Sequence, residues 1–146
     1  MDRREMLGSM GGIALAALAG EAQAQAMDHQ HHHPAGAKNQ ALTDSASDCV
    51  KTGEACINHC LDLLSQGDKE MAACAKSVNE MLAVCAALQR LATVDSRFLP
   101  KYAKLAGEVC EACEKECRKH ENKHAECKAC ANSCAACLKE CNKVAA

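Results

Sequence analysis

The stretch from Cys110 to Cys141 holds eight of the thirteen cysteines in this 146-residue chain. Within each of its two runs the cysteines are three or four residues apart, a spacing that returns a side chain to one face of an α-helix. Between Cys127 and Cys141 the stripe drifts by only about 40°, so its five thiols share one face. The intervening residues include no Gly or Pro that would bend the chain into a zinc-binding knuckle. The eight cysteines are Cys110, Cys113, Cys117, Cys127, Cys130, Cys134, Cys137 and Cys141.

The other five cysteines follow the same helical spacing. Cys49, Cys56 and Cys60 share one face of a first helix, and Cys74 and Cys85 share one face of a second. In the second helix Met71, Val78 and Met81 complete the inward stripe. The sequence therefore predicts thiols and thioethers at positions where a bundle helix normally places Leu.

Four helices with short links predict an all-α fold, an antiparallel up-and-down four-helix bundle with a cysteine-lined core. Thr43 or Ser45 is the expected N-cap of the first helix. Gly67 is expected to end that helix, and Asp68 is expected to cap the second. Pro100 fits either a first-turn position or a kink. The expected helices span 43 or 45 to 65, 69 to 92, about 100 to 120, and 124 to 143, with a break at 121 to 123.

The up-and-down order places the first and third links at one end of the bundle. This end is expected to be rich in metal ligands, and the opposite end is expected to be apolar. The predicted ligand-rich end carries His59, Met71, His120 and His124. The predicted apolar end carries Leu88, Leu91, Phe98, Leu99 and Leu105.

Composition narrows the possible functions. One Phe, one Tyr and no Trp give little aromatic mass for a core, so something besides apolar packing is expected to support the interior. The net charge of −2 is spread along the helices without a basic face, which argues against nucleic-acid binding. No nucleophile–base pattern or phosphate-binding glycine loop is present, and Glu121-x-x-His124 lacks the partners of a di-iron motif. We therefore do not expect an enzyme.

Residues 1–26 are expected to be an export signal. Arg3-Arg4 with Leu7 resembles a twin-arginine signal, and an A-x-A rule allows cleavage after Ala24 or after Ala26. Export would place the protein in the periplasm or in an internal membrane-enclosed compartment. Nothing later in the chain looks long and apolar enough to span a membrane, so the mature protein is expected to be soluble.

Residues 27–42 are expected to be a flexible polar tail, followed by the bundle at 43–146. The tail carries His29 and His31 to His33, called here the histidine tail, which either collects borderline metals or is simply solvated. Cleavage after Ala26 would also expose Met27-Asp28-His29, whose four nitrogens suit planar Cu(II).

Three uses of the thiols compete. The first is a helical binding module stapled by disulfides, a scaffold typical of small exported proteins, but an odd number of cysteines, several to a helix, offers poor pairing. An iron–sulfur electron carrier would place its ligands in loops and follow the last cysteine with Pro. Lines of sulfur facing one another suit Cu(I), which accepts two or three soft ligands and bridging thiolates.

These cysteine runs, with C-x2-C-x3-C at 110–117, resemble the exported copper storage proteins of the Csp family, found in methane-oxidising bacteria. The resemblance covers about residues 43–143. It implies a bundle filled with many Cu(I) ions, a homotetramer, and supply of copper for methane oxidation by a copper enzyme such as methane monooxygenase. It also implies ligation by the thirteen cysteines and, at the bundle mouth, by His59 and Met71. Met81 occupies an inward position where another ligand could stand. The resemblance leaves open storage or detoxification, the affinity, and the proteins that donate or accept copper.

Overall fold

The computed structural model describes residues 38–145, which form α-helices and short links with no strand. The predicted signal and the four histidines of the predicted tail lie outside the described residues. Residues 38–42 of that tail are described, and the last three of them are helical. The elements are α1 (Gln40–Ser65), a single 3₁₀ turn (Lys69–Met71), α2 (Ala72–Thr93), α3 (Leu99–Arg118) and α4 (Ala125–Val144). The all-α fold is thus confirmed.

Each helix packs against two neighbours, so the four helices enclose a common interior. α1 and α3 both contact α2 and α4. Between α2 and α3, Cys74 lies beside Cys117 whereas the later Cys85 lies beside the earlier Cys110. Contacts in opposite chain order are those of antiparallel neighbours, the arrangement that short links favour.

The first link ends and restarts the helices as the sequence predicts. Gly67 adopts a φ of +94°, and its N–H donates to the Leu64 carbonyl. This left-handed position is one that glycine tolerates without strain. Asp68 then caps the next turn by accepting the Glu70 N–H at 3.1 Å. Pro100 lies in the first turn of α3, so it does not kink the helix.

The start of α1 differs from the prediction, because neither Thr43 nor Ser45 caps it. The helix begins at Gln40, and the Thr43 hydroxyl donates to the Asn39 carbonyl at 3.1 Å from inside the first turn. The Asn39 amide instead donates to Asp95 at 3.1 Å in the α2–α3 link. This contact between distant parts of the chain anchors the helix start one turn earlier than the local pattern indicates.

The other boundaries shift by one to three residues, and the largest shift is at α2, which begins at Ala72 because residues 69–71 form the 3₁₀ turn. α3 ends at Arg118 and α4 begins at Ala125, so the break includes residues 119–124. The His120 carbonyl accepts the N–H groups of Lys123 and His124, each at 3.0 Å, which closes the turn without Gly or Pro.

Two of the side chains predicted for the apolar end do not close it. Phe98 is 59% exposed and Leu105 is 49% exposed, because α3 turns Leu99, Ala103 and Ala106 inward instead. The buried apolar residues that belong to this end are Leu42, Ala46, Leu88, Ala92, Leu99 and Ala103.

The expectation that no later segment could span a membrane was wrong as to length and composition. The segment Lys69–Thr93 is 25 residues long, and its most apolar stretch has a mean hydropathy of 1.3, so it is long and apolar enough to cross a membrane. Its Ala and Cys residues raise the hydropathy. In this structure the same segment packs against α1 and α3 and turns its cysteines into the core. We therefore interpret it as a bundle helix.

Candidate metal centre

All thirteen cysteines lie in the interior of the bundle with no exposed surface, as their helical spacing predicts. Every helix contributes at least two of them, and in the described residues no polar or charged side chain is buried with them. The interior is therefore lined mainly by sulfur. α1 carries Cys49, Cys56 and Cys60; α2 carries Cys74 and Cys85; α3 carries Cys110, Cys113 and Cys117; α4 carries Cys127, Cys130, Cys134, Cys137 and Cys141.

Twelve of the thiols form four groups in which all sulfurs lie within 4.8 Å of one another. One group takes a cysteine from each helix. Cys56 and Cys130 each belong to two groups, so three of the groups are linked through shared sulfurs. Cys141 lies outside the groups, and interaction with the nearby Cys137 raises its pKa. The groups are Cys49, Cys85, Cys110 and Cys137; Cys56, Cys60, Cys74 and Cys127; Cys56, Cys117 and Cys130; and Cys113, Cys130 and Cys134.

The sulfur–sulfur distances suit shared metal ions. The Sγ atoms of Cys74 and Cys117 are 3.6 Å apart, and those of Cys113 and Cys130 are 4.0 Å apart. Two sulfurs bound at about 2.3 Å to one ion are separated by about 3.8 Å in tetrahedral geometry and up to about 4.6 Å in linear geometry. A disulfide requires about 2.05 Å, and the thirteen thiols are free.

Hydrogen bonds between neighbouring thiols raise the pKa of some cysteines and lower the pKa of others. Interaction with Cys110 raises the pKa of Cys134, and the same pair lowers the pKa of Cys110 to about 6. The hydrogen bond from Cys117 lowers the pKa of Cys74 to about 4. Burial opposes the ionisation of Cys134, Cys110 and Cys74, because a thiolate loses its hydration in the interior. An interior of this kind can ionise fully only when bound cations neutralise the thiolates.

The two predicted thioether ligands face the interior. Met71 is 1% exposed and follows the first link, at the predicted ligand-rich end. Met81 is fully buried, and its methyl group would lie 2.7 Å from a Cβ added at Gly53. Gly53 thus makes room for Met81 where α1 and α2 meet. Ligation of a metal by either methionine stays a prediction.

The predicted gathering of His59, His120 and His124 at one end is confirmed. His59 Nε2 lies 2.9 Å from His124 Nδ1, and the ring centroids of His120 and His124 are 6.5 Å apart. One neighbour was missed: Glu126 Oε2 lies 3.8 Å from His59 Nε2. Its place one residue before Cys127 was the available signal, but its contact with α1 depends on how the helices pack.

A protein-family model for "Csp: Copper storage protein" matches residues 35–146. The chain belongs to the copper storage protein family. The match contains every cysteine and begins before α1, and it covers all of the described residues.

Relatives match about three quarters of this chain. YhjQ of Bacillus subtilis (strain 168), described as an uncharacterized cysteine-rich protein, is 32% identical over 108 residues, which are 74% of this chain and 96% of YhjQ. The structure of apo copper storage protein 3 from Bacillus subtilis has a TM-score of 0.64 and 32% identity, covering 74% of this chain and 99% of that one.

Two metal-loaded structures are also similar. The Cu(I)-bound copper storage protein BsCsp3 has a TM-score of 0.68 and 31% identity, covering 74% of this chain and 98% of that one. Ccsp from Streptomyces lividans, loaded with 10 copper equivalents, has a TM-score of 0.66, covering 76% of this chain and 88% of that one. At 22% identity it supports the shared fold alone.

Proposed function

We propose that this protein stores Cu(I), binding many ions per chain through cysteine thiolates inside the bundle. The observation that carries this proposal is the set of thirteen buried thiols, twelve of them in groups and most of these linked by shared sulfurs. Cu(I) prefers such soft ligands and accepts few of them per ion. The Cu(I)-bound relative supports the choice of metal.

The proposed ligands are the thirteen cysteines, with His59 and Met71 at the ligand-rich end and Met81 as a further thioether. Storage requires no reacting substrate, so we propose that the protein is not an enzyme. The ions are its cargo, and their release returns the chain to the thiol form.

Anaerobic titration of the reduced apo-protein with Cu(I) tests this function. We expect nearly all thirteen thiols to be free before loading and a capacity on the order of one Cu(I) per cysteine. The loaded protein should be colourless, whereas an iron–sulfur carrier would be brown. A capacity of one or two ions would contradict storage. An apo-protein with few free thiols would also contradict it and would favour the helical binding module stapled by disulfides.

The cellular setting is part of the proposal. The twin-arginine-type signal favours export to the periplasm or an internal membrane-enclosed compartment, with soluble homotetramers that deliver copper to an enzyme such as methane monooxygenase. The proposal that copper is supplied to methane monooxygenase rests on the sequence resemblance alone. Fractionation with intact mass tests export and cleavage, and light scattering on the purified protein tests the tetramer.

A further inference from the structure

Three of the four large apolar side chains that are exposed in residues 38–145 belong to one short part of the chain. Val94 is 70% exposed, Phe98 is 59% exposed and Leu105 is 49% exposed. Val94 and Phe98 lie in the link between α2 and α3, and Leu105 follows within α3. These three residues are called here the link patch. Single exposed apolar side chains are ordinary, but a group of them indicates a surface that contacts something apolar.

Helical spacing makes the patch continuous with a half-buried apolar strip. Phe98 and Leu105 are seven residues apart, so they lie on one face of α3. Tyr102 and Val109 belong to the same face and pack against the core. The Tyr102 hydroxyl donates to the Val84 carbonyl at 3.3 Å, which places this face beside α2. The exposed side chains of α3 therefore stand along the groove between α2 and α3.

Four exposed cations flank the link patch. They are Arg90, Arg97, Lys101 and Lys104. Three of them recur at steps of four and three residues on the face of α3 next to the apolar one. Within the described part of the chain, none of the four is paired with a carboxylate. The one carboxylate in residues 90–107, Asp95, pairs instead with a lysine outside that stretch at 3.3 Å.

The cations at the other end of α3 are neutralised. Lys115, Arg118 and Lys119 each form an ion pair with a glutamate of α3 or of the link that follows it. Unpaired positive charge is thus found at the end of the helix that also exposes the apolar side chains. This combination is complementary to a surface with negative charge outside and apolar material beneath.

A second copy of the chain fits this surface less well. A two-fold dimer would bring the same four cations of two chains together, which is unfavourable. The exposed parts of the three apolar side chains amount to on the order of 300 Å², because a whole large side chain has roughly 150–250 Å². A stable protein interface buries about 800 Å² on each partner. A bilayer requires no such area, because binding strengthens with each apolar group inserted and each cation near the headgroups.

We propose that the link patch docks this protein reversibly onto an anionic phospholipid bilayer, without spanning it. Val94 and Phe98 enter the headgroup region, where aromatic rings are favoured, and the flanking cations contact lipid phosphates. Arg97 Cζ lies 4.7 Å from the centroid of the Phe98 ring, so a cation and a ring meet the bilayer together. The end of the bundle with His59 and Met71 then faces the aqueous phase. Docking requires no copper, so its test is independent of copper storage.

The test uses fluorescence, because the chain has no Trp and one introduced Trp reports its own surroundings. Full-length Phe98→Trp, as reduced apo-protein, is mixed with vesicles of phosphatidylcholine and phosphatidylglycerol in equal parts. We expect a blue shift of the emission, and quenching by lipids brominated in their acyl chains. Leu61→Trp is the matched control, because Leu61 is 53% exposed near the opposite end of the bundle. It should show neither effect. A local reporter also separates the patch from any binding by the predicted signal.

Charge variants in the Phe98→Trp chain test the cations. Lys101→Gln with Lys104→Gln should weaken vesicle binding about twentyfold, at about fivefold for each charge. Added salt should weaken it further. Lys115→Gln with Lys119→Gln, at the neutralised end of α3, is the control and should leave binding unchanged. Circular dichroism checks the fold of each variant, and Val94→Trp replaces Phe98→Trp if the latter does not fold.

No blue shift or quenching in Phe98→Trp, or equal effects in Leu61→Trp, would overturn the proposal. An emission that is already blue-shifted without lipid would also overturn it. If dilution reverses that shift, the patch contacts a second copy; if dilution does not, another part of this chain covers the patch. Equally strong binding to vesicles of phosphatidylcholine alone would contradict the role given to the cations and the choice of an anionic bilayer.

Discussion

A buried thiol behaves as a small hydrophobic side chain until a metal replaces its proton. This dual character explains how the interior can pack thirteen cysteines with no buried polar side chain in residues 38–145. The helical spacing predicted that the cysteines face inward. The sulfur groups could not be predicted, because they depend on the register between helices; Cys130 has neighbours on α3 and on α1.

The two shared cysteines are predicted to matter more for capacity than the isolated one. Cys130→Ser removes a thiol from two groups, whereas Cys141→Ser removes one that lies outside all four. We expect Cys130→Ser to lose a few Cu(I) ions and Cys141→Ser to lose one or none, without unfolding. Anaerobic copper stoichiometry measures both. Loss of all copper in either variant would indicate one discrete site.

Copper retention is predicted to weaken in acid. A raised pKa means that Cys134 holds its proton more tightly than a free thiol, so protons compete with Cu(I) there at neutral pH. Cys74, with a pKa of about 4, meets this competition only in stronger acid. Each displaced proton lowers the apparent affinity about tenfold per unit fall in pH. Competition with a Cu(I) chelator between about pH 8 and pH 5 measures this, and a pH-independent affinity would exclude thiolate ligation.

At the scale of the elements, the sequence predicted what local chemistry determines. Gly67 and Asp68 ended and restarted the helices as expected, because a left-handed glycine and an N-cap act within a few residues. The start of α1 was missed because Asn39 bonds to Asp95 across the molecule. Asp95 itself adopts a φ of +46°, so the α2–α3 link turns at a residue that gives a weaker signal than glycine.

The close approach of α1 and α2 at Gly53 is predicted to be sensitive to one added methyl group. A Cβ at Gly53 would lie 2.7 Å from Met81 and 2.8 Å from Leu82 side-chain atoms, whereas at Gly107 the nearest atom is 3.2 Å away. Overpacking lowers the free energy of unfolding by about 1–3 kcal/mol, and the higher helix propensity of Ala offsets about 1 kcal/mol of this loss. Chemical denaturation of the reduced apo-protein should show Gly53→Ala less stable than the matched Gly107→Ala. Equal stability of the two variants would mean that the contact between α1 and α2 can accommodate the added methyl group.

At the scale of the whole molecule, the two ends of the bundle differ in chemistry. The end with the first and third links carries His59, His124 and Met71, whereas Leu42, Leu88 and Leu99 are buried toward the other. The topology and the short links predicted this polarity. The exposure of Phe98 was not predicted, because it depends on how α3 is rotated.

Copper is predicted to enter through the end that carries His59 and Met71. Imidazole and thioether bind Cu(I) less firmly than thiolate, so they can pass ions inward. Replacing both, as His59→Asn with Met71→Leu, should slow uptake and release more than it lowers capacity. Phe98→Ala, at the opposite end, is the control. Stopped-flow transfer to and from a Cu(I) chelator measures the rates, and unchanged rates in the double variant would place the entrance elsewhere.

The central claim, that Cu(I) fills the interior along the sulfur groups, is tested most directly by anomalous X-ray diffraction from crystals of the loaded protein. We expect many copper peaks inside the bundle, distributed among all four groups and each bound by cysteine sulfur. Copper confined to one group, or found only on the protein surface, would contradict the account.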